Sequence, residues 1–348
     1  MDGTAARGPV RAFIGSFTSA GGRGVLAADV DASSGALTVT GATAALAEPS
    51  FLALAGTVLY AVSEVEEGAV AAFDVSGAVP RPIAAPVAVH GAGPTHLALA
   101  QGHVLTANYG SGSVTVLPVG PDGAPGPATG GARHEGSGPV ADRQSDPRAH
   151  QVLPAPGGPW VTAVDLGTDS VRIYALDPGS GTLRPHGETA LRPGTGPRHL
   201  AFHPAGTHAY VLNELEPTLT VCRWDATAGV LEPLAETSVR PEGASGPSYP
   251  SEVVVAPDGR FLWAAVRGDD SIAVLALDPD GEKAALVATV PCGGHWPRDL
   301  ALDPSGRRLY VANERSGDVT WFDIDAESGI PRPAGAIDAP AASCVVFG

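Results

Sequence analysis

A hairpin unit that recurs along the chain constrains the fold more than any other feature. In its clearest copy, residues 196–214, an apolar run reaches Phe202, a His-Pro-Ala-Gly turn follows, and a second apolar run precedes Glu214. Pro and Gly supply the backbone angles of a reversal, and the aromatic and β-branched residues after the turn favour a strand. Antiparallel pairing puts the start of the first strand beside the end of the second. Arg198 and Glu214 are therefore predicted to emerge at the same end of the hairpin.

The hairpin repeats with a period typical of propeller blades. Its copies begin at prolines spaced by about 43 to 53 residues, and each is followed by a third apolar strand, a Gly-containing turn and a poorer fourth strand. Four strands per unit at this period predict the blades of a β-propeller. The seven lead prolines are Pro49, Pro94, Pro147, Pro197, Pro250, Pro297 and Pro340.

The two ends of the chain complement each other. Residues 11–17 open the first blade without a lead-proline strand, and the missing strand is found at residues 340–347. We expect the C-terminal strand to complete the N-terminal blade, which closes the ring and leaves no long unpaired edge. The sequence thus predicts an all-β, seven-bladed β-propeller with four antiparallel strands per blade. It forms one domain over residues 10–348, preceded by a flexible tail of residues 1–9.

One segment interrupts the rhythm of the repeat. Residues 120–138 are rich in Gly and Pro and cannot be regular strand throughout. The repeat resumes in phase after this segment, which favours a long outer loop of the third blade, partly covering one face of the ring. The alternative is a linker, which would separate two independent cores.

Charge and composition exclude several classes of function. The net charge of −16 argues against non-specific nucleic-acid binding and against docking on anionic membranes. No apolar run reaches the roughly 18 residues of a membrane span, and the first residues have no signal-peptide apolar region. We therefore predict a cytoplasmic protein with no membrane or nucleic-acid partner. The sequence has no nucleotide-binding motif and no metal-ligand spacing, so no cofactor is predicted, but a metal held in the channel by distant ligands stays open. An anionic substrate would need a local basic pocket. The widely spaced thiols, predicted to be buried and unpaired, are Cys222, Cys292 and Cys344.

The hairpin geometry also predicts where polar side chains meet. Residues at the starts of innermost strands and at the ends of second strands should face one mouth of the central channel. The residues in these positions are His96, Asn108, His150, Asp165, Arg198, Arg267, Glu214, Trp296, Arg298 and Glu314. Not every such residue needs a functional role. For Glu64, Glu252 and Glu314 the alternative is a structural ion pair with a neighbouring arginine, and for His96 and His199 it is a hydrogen-bonded strand position; both alternatives stay open. A convergence of four polar groups on one concave mouth favours function, because each group must be desolvated and paired.

Short motifs in order along nearly the whole chain carry a family resemblance. They include Phe-Ile-Gly-Ser-Phe-Thr-Ser at 13–19, His-Glu-Gly-Ser-Gly-Pro at 134–139, Gly-Pro-Arg-His-Leu-Ala-Phe-His-Pro at 196–204 and Arg-Gly-Asp-Asp-Ser-Ile at 267–272. Two further motifs are Ala-Asn-Tyr-Gly-Ser-Gly-Ser-Val at 107–114 and Asn-Glu-Leu at 213–215. On these six motifs together, the chain resembles the propeller-type lactonase family. That family includes bacterial 6-phosphogluconolactonases and fungal carboxy-cis,cis-muconate lactonizing enzymes.

The resemblance implies a site made of one His, two Arg and one Glu. Matched motif by motif, the catalytic residues are His150, Arg198, Glu214 and Arg267. Two positions depart from the family pattern, since Arg148 stands where relatives often carry His and Val266 stands where Asn is usual. Predicted substrate contacts around this set are His96, Asn108, Trp296, Arg298 and Glu314.

The implied activity is that of a lactonase, a carboxylic-ester hydrolase that opens 6-phosphoglucono-δ-lactone in the pentose phosphate pathway. Arg198 and Arg267 would clamp the phosphate or the developing oxyanion. Glu214 or His150 would take a proton from the attacking water, and the residues leave the choice between them open. A cycloisomerase acting on a muconolactone-type ring and a non-catalytic binding platform are the alternatives. The predicted binding partner is the substrate, a small anionic lactone. The sequence leaves the oligomeric state open.

Overall fold

The computed structural model of the chain describes residues 10–348, and the tail predicted for residues 1–9 lies outside the described residues. Seven antiparallel sheets, called blades 1 to 7 in chain order, contain all 29 strands of the described residues. Blade 1 contains β1 (Arg11–Ser16), β2 (Val25–Val30) and β3 (Leu37–Thr43), with a 3-10 turn at Thr18–Ala20. Blade 2 contains β4 (Leu52–Ala55), β5 (Val58–Ser63), β6 (Ala69–Asp74) and an outer strand split into β7 (Arg81–Pro82) and β8 (Val87–Ala88).

The next three blades follow the same order from the innermost to the outermost strand. Blade 3 contains β9 (Pro94–Ala100), β10 (His103–Asn108), β11 (Ser113–Pro118) and β12 (Gly130–Arg133), and the short helix α1 (Ala141–Gln144) follows it. Blade 4 contains β13 (Ala149–Pro154), β14 (Trp160–Asp165), β15 (Ser170–Asp177) and β16 (Thr182–Ala190). Blade 5 contains β17 (Pro197–Phe202), β18 (His208–Asn213), β19 (Thr218–Asp225) and β20 (Val230–Ser238).

The last two blades lead back to the beginning of the chain. Blade 6 contains β21 (Tyr249–Val255), β22 (Phe261–Arg267), β23 (Ser271–Leu277) and β24 (Ala284–Pro291). Blade 7 contains β25 (Pro297–Leu302), β26 (Arg308–Asn313), β27 (Asp318–Ile324) and β28 (Pro331–Asp338). The final strand, β29 (Ala342–Phe347), pairs with β1 as the innermost strand of blade 1, with Val345 opposite Ile14. The predicted seven-bladed ring and its closure by the C-terminal strand are confirmed.

Neighbouring blades are joined by apolar packing and by one recurring hydrogen bond. A buried aromatic side chain on a second strand donates to a glycine carbonyl in the outer turn of the next blade. Tyr210 reaches Gly281 at 3.0 Å in this way, and Tyr310 reaches Gly35 at 2.7 Å. The Tyr310 contact crosses the point of closure between blade 7 and blade 1. Gly35 has a φ of +73°, and a Cβ there would lie only 2.7 Å from the tyrosine hydroxyl, which explains the glycine.

A bulge in the innermost strands aims side chains at the channel. In blade 5, Pro197 pairs with Asn213 and His199 with Leu212, which leaves Arg198 as the extra residue. The same irregularity leaves His150 unpaired in blade 4 and Arg298 unpaired in blade 7. Bulges of this kind redirect a side chain out of the strand's regular alternation. Three of the predicted site residues therefore occupy one structural position in three different blades.

The Gly/Pro-rich segment differs in part from its prediction. Residues 119–129 form the expected loop of blade 3, but the loop lies at the face opposite the mouth, where the Gly123 carbonyl accepts a 2.9 Å hydrogen bond from Tyr60. The prediction of an outer loop is wrong for Gly130–Arg133, because these residues pair with β11 as the outer strand of the blade. The mouth is reached instead by residues 134–148, which include α1. No helix within 10–348 is long and apolar enough to cross a membrane.

Candidate active site

The channel below the mouth is too narrow to hold a substrate. A cavity of about 10 Å³ lies inside the ring of innermost strands and is lined by Arg198, His199, Glu252, Arg298 and Asp299 among others. A volume of this size is close to the minimum that one water molecule needs. A ligand larger than water therefore does not fit among these side chains.

Glu214 is held by three arginines at the mouth. Its Oε2 lies 2.8 Å from Nη2 of Arg267 and 3.2 Å from Nε of Arg198, and its Oε1 lies 2.5 Å from Nη2 of Arg143. Burial alone would raise the pKa of Glu214, but Arg267, Arg198 and Arg143 outweigh it and lower the pKa from 4.5 to about 2. At neutral pH the group is a firmly ionised carboxylate, which makes it a weak base.

The two buried arginines are oriented by the backbone of blade 6. Arg198 donates from Nη1 to the Ser251 carbonyl, and Arg267 donates from Nε to the Tyr249 carbonyl at 3.0 Å. Burial, together with Arg267 and Arg298, lowers the pKa of Arg198 to about 9, so the guanidinium is still charged at neutral pH. The Nε of Arg198 is buried and has no hydrogen-bond partner among the described residues. Its nearest acceptor is Oε2 of Glu214 at 3.2 Å, an ion-pair contact that lacks hydrogen-bond geometry.

His150 lies beside this cluster and belongs to a chain of buried side chains. Its Nδ1 lies 3.2 Å from Nε2 of His199, whose own Nδ1 lies 2.7 Å from Oε2 of Glu252. Burial, followed by the charge of Arg198, lowers the pKa of His150 well below its ordinary value of 6.5. The imidazole of His150 is therefore neutral at physiological pH and can accept a proton.

A second charged cluster faces the first across the mouth. Nη1 of Arg298 lies 3.1 Å from Oε2 of Glu314, and its Nη2 lies 3.9 Å from Oε1 of Glu64. Burial raises the pKa of Glu64, and Arg298 only partly offsets that effect. The guanidinium also lies 4.7 Å from the ring centre of Phe17. Arg298 and Glu314 are thus brought together and paired with each other, as in the ion-pair alternative for Glu314, and their role as substrate contacts stays a prediction.

The structure distributes the other predicted contact residues unevenly. Trp296 is half-buried at the mouth, where the guanidinium carbons of Arg315 and Arg267 lie 3.4 and 5.5 Å from its ring centre. Its φ of +66° is a strained value for a residue with a side chain. His96 is buried lower in the channel, edge-on to the ring of His199 with 5.4 Å between the ring centres.

Two of the residues that end second strands, Asn108 and Asp165, do not reach the mouth, unlike Arg267 at the end of β22. Asn108 is fully buried, and its amide is used by Thr106, Ser113 and Thr115 within its own blade. Its side chain is therefore not brought to the mouth with the other predicted contacts. Asp165 was expected to face the mouth, and this expectation is wrong, because its carboxylate instead accepts hydrogen bonds from its own blade and the adjoining loop. Asn213 and Asn313 end their second strands and bond within their own blades in the same way, and the residue after each, Glu214 or Glu314, contacts an arginine of the mouth.

Sequence reasoning missed Arg143. This residue comes from α1, and its side chain remains about one-third exposed while it contacts Glu214. Both ends of its loop are fixed to Asp165, through His134 Nδ1 at 2.5 Å and the Arg148 N–H at 2.8 Å. The loop lies outside the repeat, so no periodic signal could have placed Arg143. The only sign in the sequence was the Gly/Pro-rich segment 120–138, which interrupts the repeat and indicates extra residues near one face of the ring.

The mouth therefore combines arginines that can bind an anion, an ionised carboxylate that holds them and a neutral imidazole that can accept a proton. Oriented guanidinium groups beside a proton acceptor can stabilise an oxyanion and activate water. Within 10–348, no three or more His, Cys, Asp or Glu side chains are grouped to hold a metal ion.

Comparison with known proteins gives a consistent result. A family model described as lactonase, 7-bladed beta-propeller, matches residues 11–347. The chain is 34% identical to a 6-phosphogluconolactonase of Bacillus subtilis, over 96% of this chain and 97% of that protein. A crystal structure of a putative 6-phosphogluconolactonase from Bacteroides fragilis is 28% identical, covers 100% of both chains and superposes with a TM-score of 0.92. The periplasmic gluconolactonase of Pseudomonas aeruginosa is 27% identical, covers 97% of this chain and 98% of its own, and gives a TM-score of 0.89.

Proposed function

This chain belongs to the seven-bladed β-propeller lactonase family, and we propose that it hydrolyses 6-phosphoglucono-δ-lactone to 6-phosphogluconate. The observation that carries this proposal is the pairing of oriented arginines with a neutral His150 at one mouth. The name of the Bacillus subtilis relative supports the phosphorylated substrate. The reaction belongs to the pentose phosphate pathway. The cytoplasmic location stays a prediction, since one similar protein is periplasmic.

The arginines support binding of an anionic lactone by a strongly acidic protein. The net charge of −16 disfavours the approach of an anion, but Arg198 and Arg267 together exceed the charge of the one carboxylate they share. Guanidinium binds phosphate and carboxylate groups through paired hydrogen bonds. Arg143 is the most exposed of the three arginines on Glu214 and can exchange that carboxylate for the phosphate of the substrate. Local positive charge thus offsets the overall field at the mouth.

We assign the general base to His150. Glu214 accepts hydrogen bonds from two of its arginines, which stabilises its ionised form and makes it a poor proton acceptor. His150 is neutral, and among residues 10–348 its ring forms a hydrogen bond only through Nδ1, which leaves Nε2 available. A neutral imidazole beside the reacting water is a suitable base near pH 7. Glu214 then has the role of holding Arg198 and Arg267 in position.

The reaction balances with the residues of this site and water. Nε2 of His150 takes a proton from water as the water oxygen bonds to the lactone carbonyl carbon. The resulting oxyanion is stabilised by Arg198, whose guanidinium is oriented by Glu214 and by the Ser251 carbonyl. The bond between this carbon and the ring oxygen then breaks, and the imidazolium returns its proton to the departing oxygen. The products are a hydroxyl group and a carboxylic acid, which ionises in water.

The test is ring opening followed by pH-stat with the whole enzyme. We expect hydrolysis of 6-phosphoglucono-δ-lactone well above the spontaneous rate and a lower kcat/KM for unphosphorylated glucono-δ-lactone. His150→Gln should lower kcat/KM by about 10²-fold or more, the usual contribution of a general base. His203→Gln, in the turn between β17 and β18 at the opposite face, is the matched control and should stay within about twofold.

Two outcomes would overturn the proposal. Ring opening no faster than the background rate refutes the substrate, and turnover of a carboxymuconate in an ultraviolet assay would then favour the cycloisomerase alternative. Equal activity of His150→Gln and the wild type refutes the assignment of the base. If Arg198→Ala and Arg267→Ala also leave every activity unchanged, the protein is a binding platform.

A further inference from the structure

We infer that Glu252 and Asp299, acting through His199, fix the tautomer of His150 and so keep its Nε2 free to accept a proton. The four side chains form a buried positioning relay that crosses blades 4, 5, 6 and 7. This inference rests on the proposed function, because it explains how the base is prepared for lactone hydrolysis.

The first step concerns His199, which contacts a partner through each ring nitrogen. Its Nδ1 meets Glu252 Oε2 at 2.7 Å and its Nε2 meets His150 Nδ1 at 3.2 Å. A neutral imidazole has one donor nitrogen and one acceptor nitrogen. If His199 donates to Glu252, it must accept from the Nδ1–H of His150. His150 then carries its proton on Nδ1, and its Nε2 keeps a lone pair.

The second step concerns the direction of the Glu252 contact. Oε1 of Glu252 accepts from the Val253 N–H at 2.9 Å, so Oε2 alone is left for His199. An ionised Glu252 can only accept from His199, and this sets the direction of the whole relay. The two ring nitrogens and both carboxylate oxygens are therefore coupled by simple donor and acceptor rules.

The third step explains why Glu252 is the ionised member of the acid pair. Asp299 and Glu252 line the same small cavity, and Oδ2 of Asp299 accepts from the Val345 N–H at 2.8 Å. Burial, followed by the charge of Glu252, raises the pKa of Asp299 well above its ordinary value, whereas burial raises the pKa of Glu252 only to about 7. Two adjacent buried carboxyls share one proton. As the pH rises Glu252 therefore ionises first, and we place the shared proton on Asp299.

The surrounding charges keep both histidines neutral. Burial and the nearby arginines lower the pKa of His150 and of His199 well below 6.5. The titratable and charged groups that face the relay from the elements around it are Arg198, Arg267, Arg298, Glu214, His96, Tyr109 and Cys344. The arginines predominate, so positive charge opposes protonation of the relay. The two histidines can therefore orient protons without becoming charged in the resting enzyme.

The fold itself does not need ionisable residues at these positions. The strand register gives one equivalent position, directly after the bulge of the innermost strand, in three blades. This position is held by Gln151 in blade 4, His199 in blade 5 and Asp299 in blade 7. Gln151 satisfies its position with one 2.7 Å hydrogen bond from the Leu200 N–H. A neutral amide is thus sufficient for the architecture of a blade. Buried ionisable groups are costly unless paired, which points to a role in preparing His150.

The experiment compares Glu252→Gln with Asp299→Asn. The Val253 N–H requires an acceptor, so the glutamine must turn its carbonyl there and present its NH₂ group to His199. This reverses the relay, moves the proton of His150 to Nε2 and should lower kcat/KM by about 10² to 10⁴-fold. In Asp299→Asn the amide carbonyl can accept from Val345 and the NH₂ can donate to Glu252. That variant should retain activity within about threefold.

A readout that does not depend on turnover completes the test. Nitrogen-15 NMR of histidine-labelled wild-type enzyme, with His150→Gln and His199→Gln as assignment variants, should show both rings protonated on Nδ1. In Glu252→Gln both should be protonated on Nε2. His150 protonated on Nε2 in the wild type overturns the relay, even if Glu252→Gln fails to fold. Equal loss of activity in Glu252→Gln and Asp299→Asn also overturns it. If the lactone is not hydrolysed but the tautomers are as stated, the proposed function fails and the relay stands.

Discussion

Replacing Glu214 with Gln should destabilise the fold through the arginines that remain. The carboxylate of Glu214 is 5% exposed and contacts Arg143, Arg198 and Arg267, so its loss leaves buried positive charges uncompensated. The pKa displacement from 4.5 to about 2 corresponds to ~3 kcal/mol. Breaking a buried ion pair on one side typically costs about 3 to 5 kcal/mol. The two arguments agree on the size of the effect.

The expected loss can be expressed as a melting temperature. At ~2.1 cal/mol/K per residue, the unfolding entropy of a chain of this length is ~0.7 kcal/mol/K. A loss of about 3 to 5 kcal/mol then lowers Tm by about 4 to 7 °C. The matched control is Glu216→Gln, two residues further on, because Glu216 bonds Arg192 at 2.8 Å while half exposed. Exposed pairs contribute about 0 to 1 kcal/mol, so this control should move Tm by ~1 °C at most.

Phosphate and pH supply two further readouts of the same perturbation. Inorganic phosphate should restore part of the stability of Glu214→Gln, by about 2.7 kcal/mol at 100 times its Kd, and should affect the wild type less. The folded-state pKa of Glu214 is lower than the ordinary value, so its stabilisation is complete above pH 4.5 and is lost as the pH falls towards about 2. The Tm gap between wild type and variant should therefore be constant from pH 8 to pH 5 and narrow below. Equal Tm values for Glu214→Gln and Glu216→Gln at pH 7 would refute this reasoning.

Three other predictions follow from individual contacts. Arg143→Ala should raise KM for the phosphorylated lactone about tenfold, the value of one charged hydrogen bond, and leave KM for glucono-δ-lactone unchanged in steady-state assays. Tyr310→Phe removes the buried hydrogen bond to Gly35 across the closure and should cost ~1 kcal/mol in denaturant unfolding; no measurable cost would contradict the role of that contact. Because the neutral form of His150 is active and burial lowers its pKa, kcat/KM should stay level from pH 8 down to 6.5 and fall only at lower pH. An acid limb centred above pH 6.5 would exclude His150 as the base.

The fold was predictable because its signal is local and repeated. Each blade is recognisable in the sequence by a lead proline, a Gly-containing turn and alternating strands. The C-terminal strand has the pattern of the innermost strand that blade 1 lacks. The shared end of Arg198 and Glu214 also follows from sequence alone, since antiparallel pairing fixes which strand ends are adjacent. These features need no knowledge of how the blades are arranged around the channel.

Within the site, side-chain direction depended on register. Asn108 and Asp165 end their second strands and turn into the blade, whereas Glu214 lies one residue beyond its strand and turns to the mouth. A shift of one residue reverses the side of a strand to which a side chain points. The bulges that aim His150 and Arg198 into the channel are likewise visible only in the pairing of the strands.

Sequence by itself thus determined the number of blades, the closure of the ring and the face that carries the polar residues, because strand patterning and turn chemistry act between near neighbours. Only the tertiary structure brought Arg143 onto Glu214 and joined His150, His199 and Glu252 in one chain of hydrogen bonds. These contacts link different blades or a loop outside the repeat. Their distances depend on how seven sheets pack around a common axis, which no local pattern encodes.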